Sequence, residues 1–272
     1  MRLTDTHCHL NFETYQDDLP EVIARAKEVG VQRILVPAID INSCPDVLQI
    51  TKENKIVYAA VGVHPNSAQT WGKESADDLR KFVTQPKVLA IGEIGLDYYR
   101  NRAPKDLQIK ILREQLDIAG TAGLPVILHV RNKSEDDRSC IDDLLSVLED
   151  WLKGSSLVKK DGKYSPGVLH SFSGNVQESK RSLELGFHIG ITGAVTFKTA
   201  EIMRAVVSKT PEDRLLIETD GPFITPHPYR GKRNEPAHVR YIVDKISAVT
   251  SRTPEDVAAQ TSNNAANLFG WE

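Results

Sequence analysis

The stretch TDTHCHL, residues 4–10, places His7 and His9 two positions apart at the end of the first predicted strand. In a β-strand, residues i and i+2 point to the same face with backbones roughly 6.5 Å apart, so these two imidazoles can converge on one ion. Neutral imidazole is the commonest side-chain metal ligand. The alternative is that one histidine forms hydrogen bonds in the core while the other is exposed. The rest of the sequence distinguishes the two interpretations.

Short apolar runs alternate with longer amphipathic stretches along the whole sequence, which is the pattern of repeated βα units and a parallel sheet. The predicted strands cover residues 3–9, 33–38, 57–63, 88–92, 125–129, 167–170, 187–191 and 215–219. Helical patterns lie between them, and two more follow the eighth strand. Eight such units predict an α/β protein, a single (β/α)₈ TIM-barrel domain over residues 1–272 with an additional C-terminal helix.

One polar, glycine- and lysine-rich segment, KGSSLVKKDGKYSP at residues 153–166, interrupts this pattern. It precedes a strand instead of following one. Because the active sites of such barrels lie at the C-terminal ends of the strands, we expect this segment to form a surface loop on the opposite, non-catalytic face.

Composition and charge exclude several classes of protein. A net charge of −3 and a pI near 6.3 argue against a protein that coats nucleic acid without specificity. The three cysteines form no Cys-x-x-Cys pair, which fits a reducing compartment, and we predict a cytoplasmic location. The sequence has no run of about 20 apolar residues that would cross a bilayer and no signal-peptide pattern, so we predict no membrane association and no removal of a leader.

Ionisable residues gather at the ends of the predicted strands. These residues are His7, His9, His64, Glu93, His129, His170 and Asp220. Core packing explains one or two such histidines, but so many buried ionisable groups at one barrel mouth repel or stay unsolvated unless a cation pairs them. The set is large enough for two divalent ions that share a bridging carboxylate. By contrast, His188 lies within the seventh strand and is expected to be an ordinary packing or surface residue.

Eight stretches of the sequence occur in the order found in a known family: DTHCHL, VGVHP, IGEIGLDYY, LPVILHVR, VLHSFSG, ITGAVTF, IETDGPFITP and RGKRNEP. From residue 4 to the C-terminal helix, the sequence resembles the TatD family of metal-dependent deoxyribonucleases. The resemblance implies a (β/α)₈ fold with a divalent-metal centre. The ligands that it implies are His7, His9, Glu93, His129, His170 and Asp220. It also implies that Glu93 bridges the ions and that His64 lies beside the phosphate.

The identity of the metal stays open at this point. A ligand set rich in histidine suits ions such as manganese and zinc, whereas the resemblance implies activity with magnesium. We therefore expect two divalent ions per chain, drawn from Mg, Mn or Zn.

The predicted reaction is hydrolysis of phosphodiester bonds in DNA, by an exonuclease that acts on single strands. The catalytic residues are predicted to be Asp220, as proton acceptor, with Glu93 and His64. The loops after the strands carry a rim of cations, which consists of Arg100, Arg102, Arg131, Lys133, Arg230, Lys232 and Arg233. Aromatic residues that can stack on bases are Tyr98, Tyr99, Phe172, Phe223 and Tyr229. Of these two groups, the predicted substrate contacts are Arg131, Arg230, Lys232, Arg233 and Tyr98.

Three other functions remain open from the sequence. A D-aminoacyl-tRNA deacylase would use the same basic rim. A small-molecule hydrolase of amides, lactones or phosphate esters is disfavoured, because barrels of the cyclic-amidase type commonly carry a carbamylated lysine on the fourth strand, where this chain has Glu93. A non-enzymatic metal protein would be expected to lack a ligand or base, and none is missing. No obligate protein partner is inferred.

Overall fold

Eight parallel strands form the centre of the molecule, and each pairs with the next in chain order. The computed structural model describes residues 1–134, 136–154 and 165–271. The strands are β1 Leu3–Asp5, β2 Val31–Pro37, β3 Val57–Val61, β4 Val88–Asp97, β5 Val126–Arg131, β6 Gly167–Leu169, β7 His188–Ile191 and β8 Leu215–Ile217. This order confirms the predicted (β/α)₈ barrel.

An α-helix follows every strand before the next strand begins, and a ninth closes the chain. The helices in the described residues are α1 Leu19–Glu28, α2 Cys44–Glu53, α3 Ser75–Phe82, α4 Lys105–Ala122, α5 Ser139–Gly154, α6 Val176–Glu184, α7 Glu201–Lys209, α8 Val239–Thr250 and α9 Pro254–Phe269. None of these helices is both long and apolar enough to cross a membrane.

The first and last strands meet through hydrogen bonds at their C-terminal ends. Thr6 N donates to Ile217 O at 3.2 Å, and Asp220 N donates to His7 O at 2.8 Å. These bonds tie the segment that carries His7 to the segment that carries Asp220. The two ends of the sheet therefore bring residues more than 200 positions apart into one site.

The barrel interior is apolar at one of its two ends. One layer consists of inward-facing residues of successive strands: Leu35, Ala60, Ala90, Ile127, Val168 and Leu216. Leu268, Phe269 and Trp271, at and after the end of α9, pack against this layer. The additional C-terminal helix, as predicted from the sequence, thus covers one end of the barrel and leaves the other end for the site.

Each predicted strand overlaps an observed one, and the two largest differences in their boundaries are at the ends of β1 and β4. The first strand ends at Asp5 and not at residue 9, because the regular alternation of hydrogen bonds breaks there: Thr6 N bonds to Ile217 O of β8, whereas Cys8 N, two residues later, bonds to Leu35 O of β2. The fourth strand continues past residue 92 to Asp97, because pairing with β5 resumes after an irregularity between Ile91 and Ile94. His7 and His9 therefore follow a strand, whereas Glu93 lies inside one.

The predicted surface loop at 153–166 falls mostly outside the described residues, which exclude 155–164. Lys153 belongs to the end of α5, and Ser165 lies just before β6. The Ser165 hydroxyl is 2.9 Å from Nδ1 of His188, the first residue of β7. His188 is buried there, as expected for a packing residue.

Candidate metal centre

Strand periodicity explains how the candidate ligands reach one place. Alternate residues of a strand face the same side, so residues two or four positions beyond the inward apolar layer also point into the barrel. His129 and His170 lie two positions beyond Ile127 and Val168, and Asp220 lies four beyond Leu216. The site therefore occupies the mouth opposite α9.

The carboxylate of Glu93 lies at the centre of this site and is almost fully buried. Its Oε2 is 3.4 Å from His7 Nε2 and 3.6 Å from His9 Nε2. Its Oε1 faces a second group of imidazole nitrogens, which are His129 Nδ1 at 2.9 Å, His170 Nε2 at 3.2 Å and His64 Nε2 at 3.4 Å. One carboxylate thus contacts two different sets of histidines through its two oxygens.

Asp220 completes the side that His7 and His9 occupy. Its Oδ1 lies 3.6 Å from His9 Nε2 and 3.8 Å from His7 Nε2. Its backbone has φ of +55°, a left-handed conformation that aspartate tolerates better than most residues with a side chain. Burial alone would raise the pKa of Asp220, but the hydrogen bond from His9 and the charges of His170 and His7 outweigh burial and lower that pKa.

The protein atoms alone leave this centre poorly satisfied. The Nε2 atoms of His7 and His9 face each other at 3.2 Å, and the Nδ1 atoms of both rings are buried with no hydrogen-bond partner among the described residues. Two imidazole nitrogens that face each other repel through their lone pairs unless a proton or a cation lies between them, so a cation that binds both Nε2 atoms stabilises this arrangement. Three sets of donors have atoms within 4.8 Å of one another: His7, His170 and Asp220; His7, His9 and Glu93; His64, Glu93 and His129. The donors therefore fit a divalent metal.

The ionisation of the two stacked histidines differs. The rings of His7 and His170 lie parallel, with centroids 3.7 Å apart. Burial and the nearby charge of His170 lower the pKa of His7. Burial also opposes the charge on His170, but Glu93 and Glu218 outweigh it and raise the pKa of His170. A neutral His7 is the form that binds metal.

Two buried carboxylates in the site were not predicted from the sequence. Glu218 Oε1 lies 3.3 Å from His170 Nδ1, and Asp97 Oδ2 lies 3.2 Å from His129 Nε2. Each holds the ring nitrogen that does not face Glu93, an arrangement that fixes the orientation of a metal-binding imidazole. Period-two spacing was the available signal, because Asp97 is four positions after Glu93 and Glu218 is two before Asp220.

A third missed residue, Asp5, anchors the turn that carries His7. Its carboxylate accepts hydrogen bonds from Thr219 N at 2.8 Å and from His7 N at 3.3 Å. Burial raises the pKa of Asp5 to about 8, although the bonds from Thr219 oppose this shift. Asp5 therefore connects the ends of β1 and β8 below the metal centre.

A cavity of about 590 Å³ opens above the metal centre. Three arginines line it, namely Arg100, Arg102 and Arg131. The guanidinium of Arg131 lies 3.9 Å from the centroid of the Tyr99 ring. Tyr98 is half-buried, and its hydroxyl donates to Asp143 at 2.9 Å. Tyr98 is not among the described residues that line this cavity.

The basic residues of the loop after β8 contact other side chains of the protein. Arg233 forms two hydrogen bonds of 2.7 Å with the carboxylate of Asp18, and Arg230 stacks 3.8 Å over the ring of Phe197. Lys232 lies 5.5 Å from the ring of Tyr229. Among the residues described, none of the three cations lines the metal cavity.

Two of the aromatic residues predicted to stack on bases differ in exposure and position. Phe223 is 52% exposed and lines the metal cavity. Phe172 is 1% exposed, so the prediction that it can stack on a base is wrong: its ring lies in the apolar core.

Comparison with known proteins identifies the family to which the chain belongs. The family model for TatD related DNase matches residues 4–270. The metal-dependent hydrolase YabD of Bacillus subtilis is 39% identical over 98% of both chains. A protein of Erwinia amylovora named 3′-5′ ssDNA/RNA exonuclease TatD is 32% identical over 98% of this chain and 99% of its own.

A solved structure has the same architecture. The TatD homologue YjjV of Escherichia coli superposes with a TM-score of 0.86 and 30% identity, and the match covers 100% of this chain and 99% of that one. The family resemblance drawn from eight short stretches is confirmed. The chain belongs to the TatD family of metal-dependent hydrolases.

Proposed function

We propose that this protein removes nucleotides from the 3′ end of single-stranded DNA, and that it does so with two divalent ions drawn from Mg, Mn and Zn. The observation that carries the proposal is the division of Glu93, with Oε2 toward His7 and His9, and Oε1 toward His129, His170 and His64. A carboxylate that faces two donor sets in this way suits a bridging ligand.

The reaction adds water to phosphorus and breaks one P–O ester bond, which leaves a phosphate on one fragment and a hydroxyl on the other. When bound, divalent ions lower the pKa of water and neutralise charge on phosphate oxygens. Asp220 accepts the proton of the attacking water, a role that its lowered pKa allows because the carboxylate is ionised at neutral pH. Glu93 holds the two donor sets together, and His64 faces the phosphate from the side of His129.

The charges around the cavity support a nucleic-acid substrate. Exposed Arg100, Arg102 and Arg131 line the cavity, and arginine pairs well with phosphate. A barrel mouth ringed by loops admits a flexible strand end more easily than a duplex. The name of the Erwinia relative includes both single-stranded DNA and RNA and a 3′-5′ direction, which supports a single-stranded substrate and the choice of end.

End-labelled oligonucleotides test this proposal. Single-stranded DNA, the matching RNA, duplex DNA and a D-aminoacyl ester are incubated with Mg²⁺, Mn²⁺ or Zn²⁺, and with EDTA as control. Stepwise shortening of single-stranded DNA from its 3′ end, abolished by EDTA, is the expected result. Equal rates on closed circular and linear strands would reject the exonuclease, and turnover of the ester alone would favour the deacylase.

A further inference from the structure

A second cleft, of about 720 Å³, adjoins the metal cavity. Phe12, Ile39 and Phe223 line both spaces, so they form a shared apolar wall. A ligand that extends from the metal centre across this wall enters the second cleft directly.

The two spaces differ in charge. Three exposed arginines line the metal cavity, whereas the second cleft has two exposed carboxylates, Glu13 and Asp46. Its one cation among the described lining residues is Arg233, which already forms a bidentate pair with Asp18. The phosphate chain is therefore favoured on the arginine side, and an uncharged group is favoured in the second cleft.

The shared wall presents a ring to such a group. Phe223 is 52% exposed and meets the Phe12 ring at a steep angle, with centroids 6.1 Å apart. An exposed aromatic face binds any nucleobase by stacking.

We propose that this space, here called the nucleoside cleft, binds the terminal nucleoside of the strand that is being cut. The base stacks on Phe223, the scissile phosphate lies at the metal centre, and the remaining strand follows Arg100, Arg102 and Arg131. This inference rests on the proposed function. It adds that the enzyme selects a strand end that carries a free hydroxyl, because a terminal phosphate would lie beside Glu13 and Asp46.

Phe223 is the ring to change, because its side chain contacts His9 less closely than that of Phe12 does. Phe12 stacks face to face on His9 with centroids 4.6 Å apart, so its removal would also disturb the metal centre. Phe223 meets His9 only edge-on, at 6.3 Å. A matched control is Ile202→Ala, which removes a side chain of comparable exposure (61%) from α7.

The experiment compares oligonucleotides that end in a 3′-hydroxyl or a 3′-phosphate, for the wild type, Phe223→Ala, Phe223→Trp, Ile202→Ala and the double variant Glu13→Gln/Asp46→Asn. We expect Phe223→Ala to lower kcat/KM on the 3′-hydroxyl substrate about tenfold, the contribution of one base–aromatic stack. Phe223→Trp keeps an aromatic face and should therefore lose much less than Phe223→Ala, whereas Ile202→Ala should keep the wild-type value. Metal content should be equal in all variants. The wild type should cut the 3′-phosphate end at least tenfold more slowly, and the double variant should reduce that difference.

The outcomes separate the two proposals. If the wild type cuts single strands but neither Phe223→Ala nor a terminal phosphate changes the rate, the nucleoside cleft is rejected and the nuclease proposal stands. If the wild type, loaded with metal, cuts no strand of either kind, the proposed function fails and the inference fails with it.

Discussion

Glu218 Oε1 lies 3.3 Å from Nδ1 of His170, on the side of the ring opposite to Glu93, whose Oε1 is 3.2 Å from Nε2. Glu218 is fully buried and accepts hydrogen bonds from Ser171 N and the Thr6 hydroxyl. Space for it comes from Gly190, where a Cβ atom would lie 2.5 Å from Glu218 Oε1. The barrel is therefore built to hold this carboxylate against the imidazole.

Replacing Glu218 should weaken metal binding without removing a candidate ligand. Partners of this kind typically contribute 10- to 100-fold in metal affinity, so we expect Glu218→Gln to lose roughly that much. Calorimetric titration with Mn²⁺ or Zn²⁺ measures the loss. Glu184→Gln is the control, because Glu184 is exposed and pairs only loosely with Lys180, at 3.8 Å. Equal affinities for the wild type and Glu218→Gln would show that Glu218 does not position His170.

Asp220→Asn tests the proton acceptor. Asparagine tolerates the left-handed backbone of position 220 as well as aspartate does, so the fold should be retained. Loss of a general base costs on the order of 10² to 10⁴ in rate. We therefore expect kcat to fall by at least about 10², while KM changes much less. The measurement is kcat, KM and metal content of the purified variant. A variant that keeps its metal and near wild-type kcat would show that Asp220 is not the base.

Arg131 and Arg233 should differ in function, although the sequence predicts both as substrate contacts. Arg131 is exposed and lines the metal cavity, so Arg131→Ala should weaken DNA binding and lower the salt slope by about one. Arg233 is paired with Asp18, so Arg233→Ala should lower the free energy of unfolding by roughly 1–3 kcal/mol.

Binding at several salt concentrations and urea unfolding of both variants separate these two effects. Should Arg233→Ala flatten the salt dependence as much as Arg131→Ala, Arg233 must leave Asp18 to contact the strand.

His188 makes the fold sensitive to acid. Burial, with the charge of Arg214, lowers its pKa from 6.5 to about 4. Between these two values the unfolded chain takes up a proton that the folded chain refuses, so stability falls as the pH falls. From pH 7 to pH 5 this residue should cost about 2 kcal/mol. In urea unfolding at the two pH values, His188→Gln should lose less stability than the wild type by that amount, and equal losses would refute the assignment.

The fold and the ligand-type residues were predictable because both depend on local patterns. Eight apolar runs with helical patterns between them specify a βα barrel, and ionisable residues just beyond such runs point to its mouth. His129 and His170 illustrate this, since each follows a short apolar run directly. The irregularity in β4 was not predictable, because it depends on how β5 pairs beside it.

Contacts between side chains that are far apart in the sequence could not be predicted either. Arg233 and Asp18 are 215 positions apart, and Tyr98 and Asp143 are 45 apart. In each pair, a residue expected to face substrate instead binds a carboxylate that periodicity does not identify. Such pairing depends on which helices and loops are neighbours around the barrel, so it emerges only with the three-dimensional structure.

Anomalous X-ray scattering from crystals grown with Mn²⁺ tests whether the two oxygens of Glu93 bind two different metal ions. We expect two peaks per chain, one on the side of His7 and His9 and one on the side of His129. A single peak in crystals of fully active enzyme, with none beside His7 and His9, would show that Glu93 does not bridge two ions.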